Sequence, residues 1–181
     1  MPLYHMAPHN MSGTILMSLN EIEHTMPDIY QLAIQKYKGR ELTMERTIPH
    51  LECRWNDVIN LCPVHPSHIM KQRIRAGQEW WQTMWYEIDP EIAGLNSDNS
   101  VIWTMQPGSY CNETAQILDP THFIRYASDV LDSLKALSAR ARWAYRNASA
   151  LGTTKLLFNC VPHIFFKGII DTTQHRVIKI I

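Results

Sequence analysis

The 181-residue chain carries nine histidines, four cysteines and a cluster of aromatic residues, and these set the chemistry open to it. His163 is the only imidazole within the apolar runs of the C-terminal segment, Leu156-Leu157-Phe158 and Val161 to Phe166. Pro162 beside it cannot donate to a ladder, which marks an edge, a strand start or a bulge. An imidazole titrates at about 6.5 and can act as a general base near neutrality. Cys160, three residues earlier, is a possible nucleophile for it, but positions i and i+3 of an extended chain point to opposite faces. The densest set of metal-ligating types is His50, Cys53, Cys62, His65 and His68, with sulfur and imidazole suited to zinc. The alternative is that both thiols are core residues and the histidines lie on a loop and a helix start.

Paired carboxylates need facing elements; Glu87 and Asp89 lie two apart on one strand face, with Glu113 beyond a turn, and strand-end acids are usually solvated. Trp80, Trp81, Trp85, Tyr86, Trp103 and Tyr110 can stack on a planar ligand such as a nicotinamide or a base, or pack as core. Tyr110 follows the turn Gln106-Pro107-Gly108-Ser109, where an aromatic is available to a ligand. Arg40 and Arg46 can pair with a pyrophosphate through bidentate hydrogen bonds, or sit on a solvated loop. No glycine-rich phosphate loop occurs.

These residues must be positioned by short elements. Leu3 to Met6 reads as a strand ended by Pro8. Ser18 and Glu21 form a capping-box pattern for a short helix, and a second helix starts near Pro27 and closes at Gly39. Ile29, Leu32, Ala33 and Tyr37 share one face of that second helix. Leu51 to Cys53 and Val58 to Leu61 are strand candidates around Trp55-Asn56-Asp57, and Pro66 opens a third helix to Gly77. Trp80 to Asp89 alternates as a strand with aromatics on both faces, and Val101 to Met105 is another. Asp119 with Pro120 predicts the longest helix, to about Asn147. The C-terminal runs read as strands of a mostly buried sheet. The pattern is an α+β fold in a single domain, 1–181, mostly antiparallel because strands and helices do not alternate regularly.

The apolar fraction is 45%, and Lys+Arg 17 against Asp+Glu 17 gives no global field to draw in nucleic acid or an acidic membrane. No apolar run is long enough to span a bilayer. The start Met1-Pro2-Leu3-Tyr4-His5 shows no secretory signal, so the expectation is a cytoplasmic protein with free thiols and no membrane partner.

The strand Leu3-Tyr4-His5, the middle strand ending in Tyr86-Glu87-Ile88-Asp89-Pro90, and the late strand leading through Lys167-Gly168-Ile169-Ile170 to a last one are in an order that resembles the ADP-ribosyltransferase superfamily. The resemblance is to its small DarT-like and polymerase-like members. It implies a split antiparallel sheet with flanking helices and NAD in the cleft between its halves. Tyr4 and His5 on the first strand would bind the cofactor, His5 at the nicotinamide ribose; Tyr110 would stack on nicotinamide; Arg40 would contact the cofactor. The product would be an ADP-ribosylated acceptor, protein or nucleic acid. Where such enzymes carry a late glutamate, this chain has Pro162-His163, and an imidazole cannot supply the negative charge that stabilises a developing cation. His163 is then expected to act at the acceptor, or an acid such as Glu87 or Glu113 reaches in, or the fold has lost transferase activity. Beside the transferase stand a non-catalytic interaction module and a zinc-supported domain.

Overall fold

The chain starts on a strand whose two faces are both buried. In a computed structural model describing residues 1–9, 11–105, 118–148, 156–158 and 160–181, this is β1 (Leu3–Met6), followed by β2 (Ile15–Leu16). Ser18 Oγ accepts from the Glu21 amide and starts α1 (Leu19–Thr25), the serine half of the expected capping box. Proline at the first position starts α2 (Pro27–Ala33), which tightens into a 3-10 turn over Ile34–Tyr37. Gly39, at φ 79, ends it in the left-handed region that favours glycine. The expected inward stripe holds only in part: Tyr37 is buried but Leu32 is 57% exposed.

The strands β3 (Thr47–Ile48), β4 (Cys53–Arg54) and β5 (Ile59–Leu61) follow, with a 3-10 turn at Trp55–Asp57 between the last two. Helix α3 (Pro66–Arg75) begins where the His65 ring accepts from the Ser67 amide. Next come β6 (Thr83–Ile88), β7 (Ser100–Trp103) and β8 (Phe123–Arg125).

The long helix expected from Asp119 does not form. Asp119 does cap, accepting from the Thr121 amide at 2.9 Å and its hydroxyl at 2.7 Å. The turn it caps lasts only over Pro120–His122, because Phe123 then stacks on Trp103, centroids 5.6 Å apart, as β8 pairs with β7. Burying that ring against the sheet outweighs helix propensity. Helix is resumed in α4 (Leu131–Leu134) and, after Ser138 caps the Ala141 amide, in α5 (Ala139–Asn147). Leu156-Leu157-Phe158, expected as a strand, is not extended, and Tyr145 donates its hydroxyl to the Leu157 carbonyl at 2.6 Å. The chain closes with β9 (His163–Phe166), β10 (Ile170–Asp171) and β11 (Arg176–Ile180).

The fold is therefore α+β, and every strand pair among the described residues is antiparallel. One three-stranded sheet runs β1-β6-β11 and a four-stranded sheet runs β5-β9-β7-β8. The two meet at a bridge between Tyr4 and Cys62, with N–H···O distances of 2.8 and 2.9 Å. One core lies against both sheets, joining Leu3 and Ile88 to Leu61, Ile102, Ile164 and Phe166. A second packs α3 and α5 on Tyr4, Trp85 and Ile180. The third lies on the other face of the four-stranded sheet, around Val101, Trp103, Phe123 and Phe165. Strand β9 is buried along its whole length because both its faces are covered.

Candidate functional site

Beyond the Tyr4–Cys62 bridge no further β1–β5 ladder pair forms among the described residues, and a side chain bonds across instead. His5 Nδ1 lies 2.8 Å from the Asn60 carbonyl oxygen. A carbonyl only accepts, so Nδ1 carries the proton and Nε2 keeps a free lone pair. Burial lowers the pKa of His5 to about 4; the Asn60 carbonyl opposes the shift and the Lys36 charge adds to it. At neutral pH His5 is thus an uncharged imidazole of one tautomer, with Nε2 as a hydrogen-bond acceptor.

Lys36 reaches His5 from the 3-10 turn after α2. Desolvation first, and then the neighbouring Arg40, hold the Lys36 ammonium below its usual pKa. Arg40 folds back on the same turn, donating Nε and Nη2 to the Lys36 carbonyl at 3.2 and 2.9 Å. Both cations lie over the Tyr37 ring, 5.3 and 5.5 Å from its centroid. Tyr37 is fixed in turn by Trp55, whose indole N–H donates to its hydroxyl at 3.0 Å. The structure thus sets Arg40 beside Lys36, the cation whose charge acts on His5.

Trp55 also joins this corner to His163. Its ring lies edge-on to Phe165 at 4.8 Å and to His163 at 6.5 Å. His163 is 8% exposed, with Trp103, Phe158 and Phe165 rings within 6 Å by centroid. Burial pushes its pKa down to about 4, and no carboxylate among the described residues acts on it. That is well below the ordinary value on which its expected role as a base rested. Two buried polar atoms on this side have no hydrogen-bond partner, the Trp103 indole nitrogen and Asn60 Oδ1.

The other expected residues are placed elsewhere. Tyr4, next to His5 along β1, leaves the opposite face and packs in the second core, so the strand does not present both to one ligand. Its phenol, pushed up to about 12 by burial, Glu87 and Cys62, borders a shallow cavity of about 180 Å³ with Pro63, His65 and His68. Glu87 pairs in register with Tyr4 and lies 3.6 Å from Arg176, away from His163. Tyr110 and Glu113 lie outside the described residues, as does the turn before them. The five-residue zinc set is not assembled: no group of three or more His, Cys, Asp or Glu among the described residues is arranged to hold a metal. Cys53 and Cys62 sit in separate cores, and burial pushes their thiols up to about 11 and 12. His50 is exposed, and His65 is engaged as a helix cap.

Compared with known proteins, the chain matches no family model, no curated protein and no solved structure.

Sequence reasoning missed Lys36, Tyr37, Trp55 and Asn60 as site residues. Lys36-Tyr37-Lys38-Gly39-Arg40 reads locally as a helix end, and the signal available was an aromatic flanked by cations four apart.

Proposed function

We propose that the chain is an ADP-ribosyltransferase-like protein that takes NAD beside His5, where β1 meets β5. The observation carrying this reading is His5: neutral, held in one tautomer by the Asn60 carbonyl, with Nε2 left to accept a ribose hydroxyl. Lys36 and Arg40 supply positive charge for a diphosphate next to it. The unpartnered Trp103 indole nitrogen and Asn60 oxygen suit a carboxamide, which has one acceptor and one donor. These residue types fit the cofactor.

When bound, NAD supplies an activated glycosidic bond whose nicotinamide is the leaving group. The residues of this chain would do the rest: His5 orients the ribose, Lys36 and Arg40 fix the diphosphate, and Trp55 and Trp103 exclude water. His163, uncharged and ringed by aromatics, lines the apolar side. The acceptor is a macromolecule.

Calorimetric titration with NAD tests this, comparing wild type with His5→Ala and with Lys36→Ala, Arg40→Ala. Saturable binding lost in His5→Ala and weakened in the double variant is the expected result. Absence of heat at millimolar NAD refutes it. The second reading, a non-catalytic interaction module, is favoured by the burial of Trp103 and Phe165, 6% and 0% exposed, which makes the aromatic group a core. Under it, His5→Ala changes stability alone.

A further inference from the structure

The balanced total charge conceals a local imbalance. Residues 58–78 and 133–170 contain no Asp or Glu, and α3 and α5 fall in these two stretches. The helices pack on one another and bury their apolar sides in the same core, Ile69 from α3 with Ala141, Ala144 and Tyr145 from α5. Their opposite sides therefore look outward together. On α3 that side is His68, Lys71, Ile74 and Arg75; on α5 it is Ala139, Arg142, Trp143 and Arg146, all exposed. Spacings of three and four place each set along one line of its helix.

Among the described residues Lys71, Arg75, Arg142 and Arg146 enter no ion pair. The acids flanking the helices in sequence are Glu79, past the end of α3, and Asp132, which lies 3.4 Å from Lys135. Each basic stripe carries a large apolar side chain in solvent: Ile74 is 54% exposed and Trp143 is 52% exposed. Cations framing an indole and an aliphatic chain form a surface of defined complementarity.

We infer that the α3–α5 face docks on an anionic lipid bilayer. Trp143 and Ile74 enter the boundary between headgroups and acyl chains, while Lys71, Arg75, Arg142 and Arg146 lie over anionic headgroups. Ile74 decides against a nucleic acid as the occupant. A single strand rewards cations and aromatic faces and gains nothing from an aliphatic side chain, whereas a bilayer boundary takes both. The contact is peripheral, since no described helix is long and apolar enough to cross a membrane. It rests on neither His5 nor NAD.

The test is co-sedimentation of the full chain with phosphatidylcholine vesicles, with and without phosphatidylserine, at low and physiological salt. Binding is expected only with phosphatidylserine, weakening as salt rises. Arg142→Glu with Arg146→Glu should weaken it at least about thirtyfold, since each cation near the surface contributes about fivefold. Trp143→Ala and Ile74→Ala should each weaken it several-fold, while Ile92→Ala, an exposed residue on the turn after β6, leaves it unchanged. All these positions are exposed, and matching thermal melts confirm that the variants fold. No sedimentation at low salt, or equal binding of the charge-reversed variant, overturns the proposal. So does a neutral Ile74→Ala combined with displacement from the vesicles by a mixed-sequence single-stranded oligonucleotide, which assigns the face to nucleic acid.

Discussion

His163 gives the sharpest test of the physical picture, because its neighbours are almost all rings. The unfolded chain protonates this imidazole at its ordinary pKa of about 6.5, while the folded chain resists until about 4. In the window between, the unfolded state binds the extra proton, so stability is complete above pH 6.5 and is lost as pH falls toward 4. A difference of about 2.5 units at about 1.4 kcal/mol each amounts to roughly 3 kcal/mol, an order of magnitude set by burial alone. The perturbation is His163→Phe, a ring of similar shape that cannot titrate. Urea unfolding at pH 7.5 and pH 4.5 should show the wild type losing about 2 to 3 kcal/mol more than the variant over that interval. Carboxylates and the other histidines titrate in both proteins and cancel. Parallel loss in wild type and variant would refute the argument, and would mean that solvent reaches the ring or that an unrecognised partner stabilises its cation.

Ser138→Ala removes the hydroxyl that accepts from the Ala141 amide at 3.0 Å and should cost about 1 kcal/mol in urea unfolding. Gly168→Ala would place a Cβ 2.4 Å from a Phe166 ring carbon. Because Phe166 is 3% exposed and cannot swing away, the variant should lose about 1 to 3 kcal/mol in the same measurement. Cys53 and Cys62, both buried with raised pKa values, should resist iodoacetamide at pH 8 in the native protein and react on denaturation, read by mass spectrometry. Trp55→Phe removes the donor to the Tyr37 hydroxyl while keeping most of the ring; a loss near 1 kcal/mol is expected from thermal melts, with weaker NAD binding if Lys36 and Arg40 depend on that support.

How far the sequence could be read depended on how local each signal was. Ser18, Pro27 and Pro66 each mark a helix start through a signal local to that residue, a capping hydroxyl or a proline at the first position, and each marks one in the structure. Asp119-Pro120 is an equally good local signal and fails, because the competing interaction is the stacking of Phe123 on Trp103, twenty residues away in sequence. Leu156 to Phe158 has strand composition but gives the Leu157 carbonyl to Tyr145. The site shows the same division. His5 stands at a strand position read from sequence, yet what fixes its tautomer is the Asn60 carbonyl, fifty-five residues on. Arg40 was visible as a cation, but its place beside Lys36, whose charge acts on His5, follows from how the turn after α2 is held to Trp55 through Tyr37.

The split between β1 and β5 bears on both readings of the site. A continuous sheet would satisfy the β5 backbone by ladder bonds, and His5 would have no reason to turn its ring toward Asn60. Here a single bridge at Tyr4 and Cys62 holds the two sheets, and the Asn60 carbonyl is satisfied by an imidazole instead. If His5 were there only for that bond, glutamine or asparagine would serve with less apolar ring to bury. A buried imidazole also costs stability in acid, because burial opposes its protonation. Lys36 adds a charge that disfavours the protonated ring, so the corner holds His5 neutral twice over. A neutral imidazole with one nitrogen committed and the other carrying a lone pair suits the hydroxyl recognition proposed for this corner.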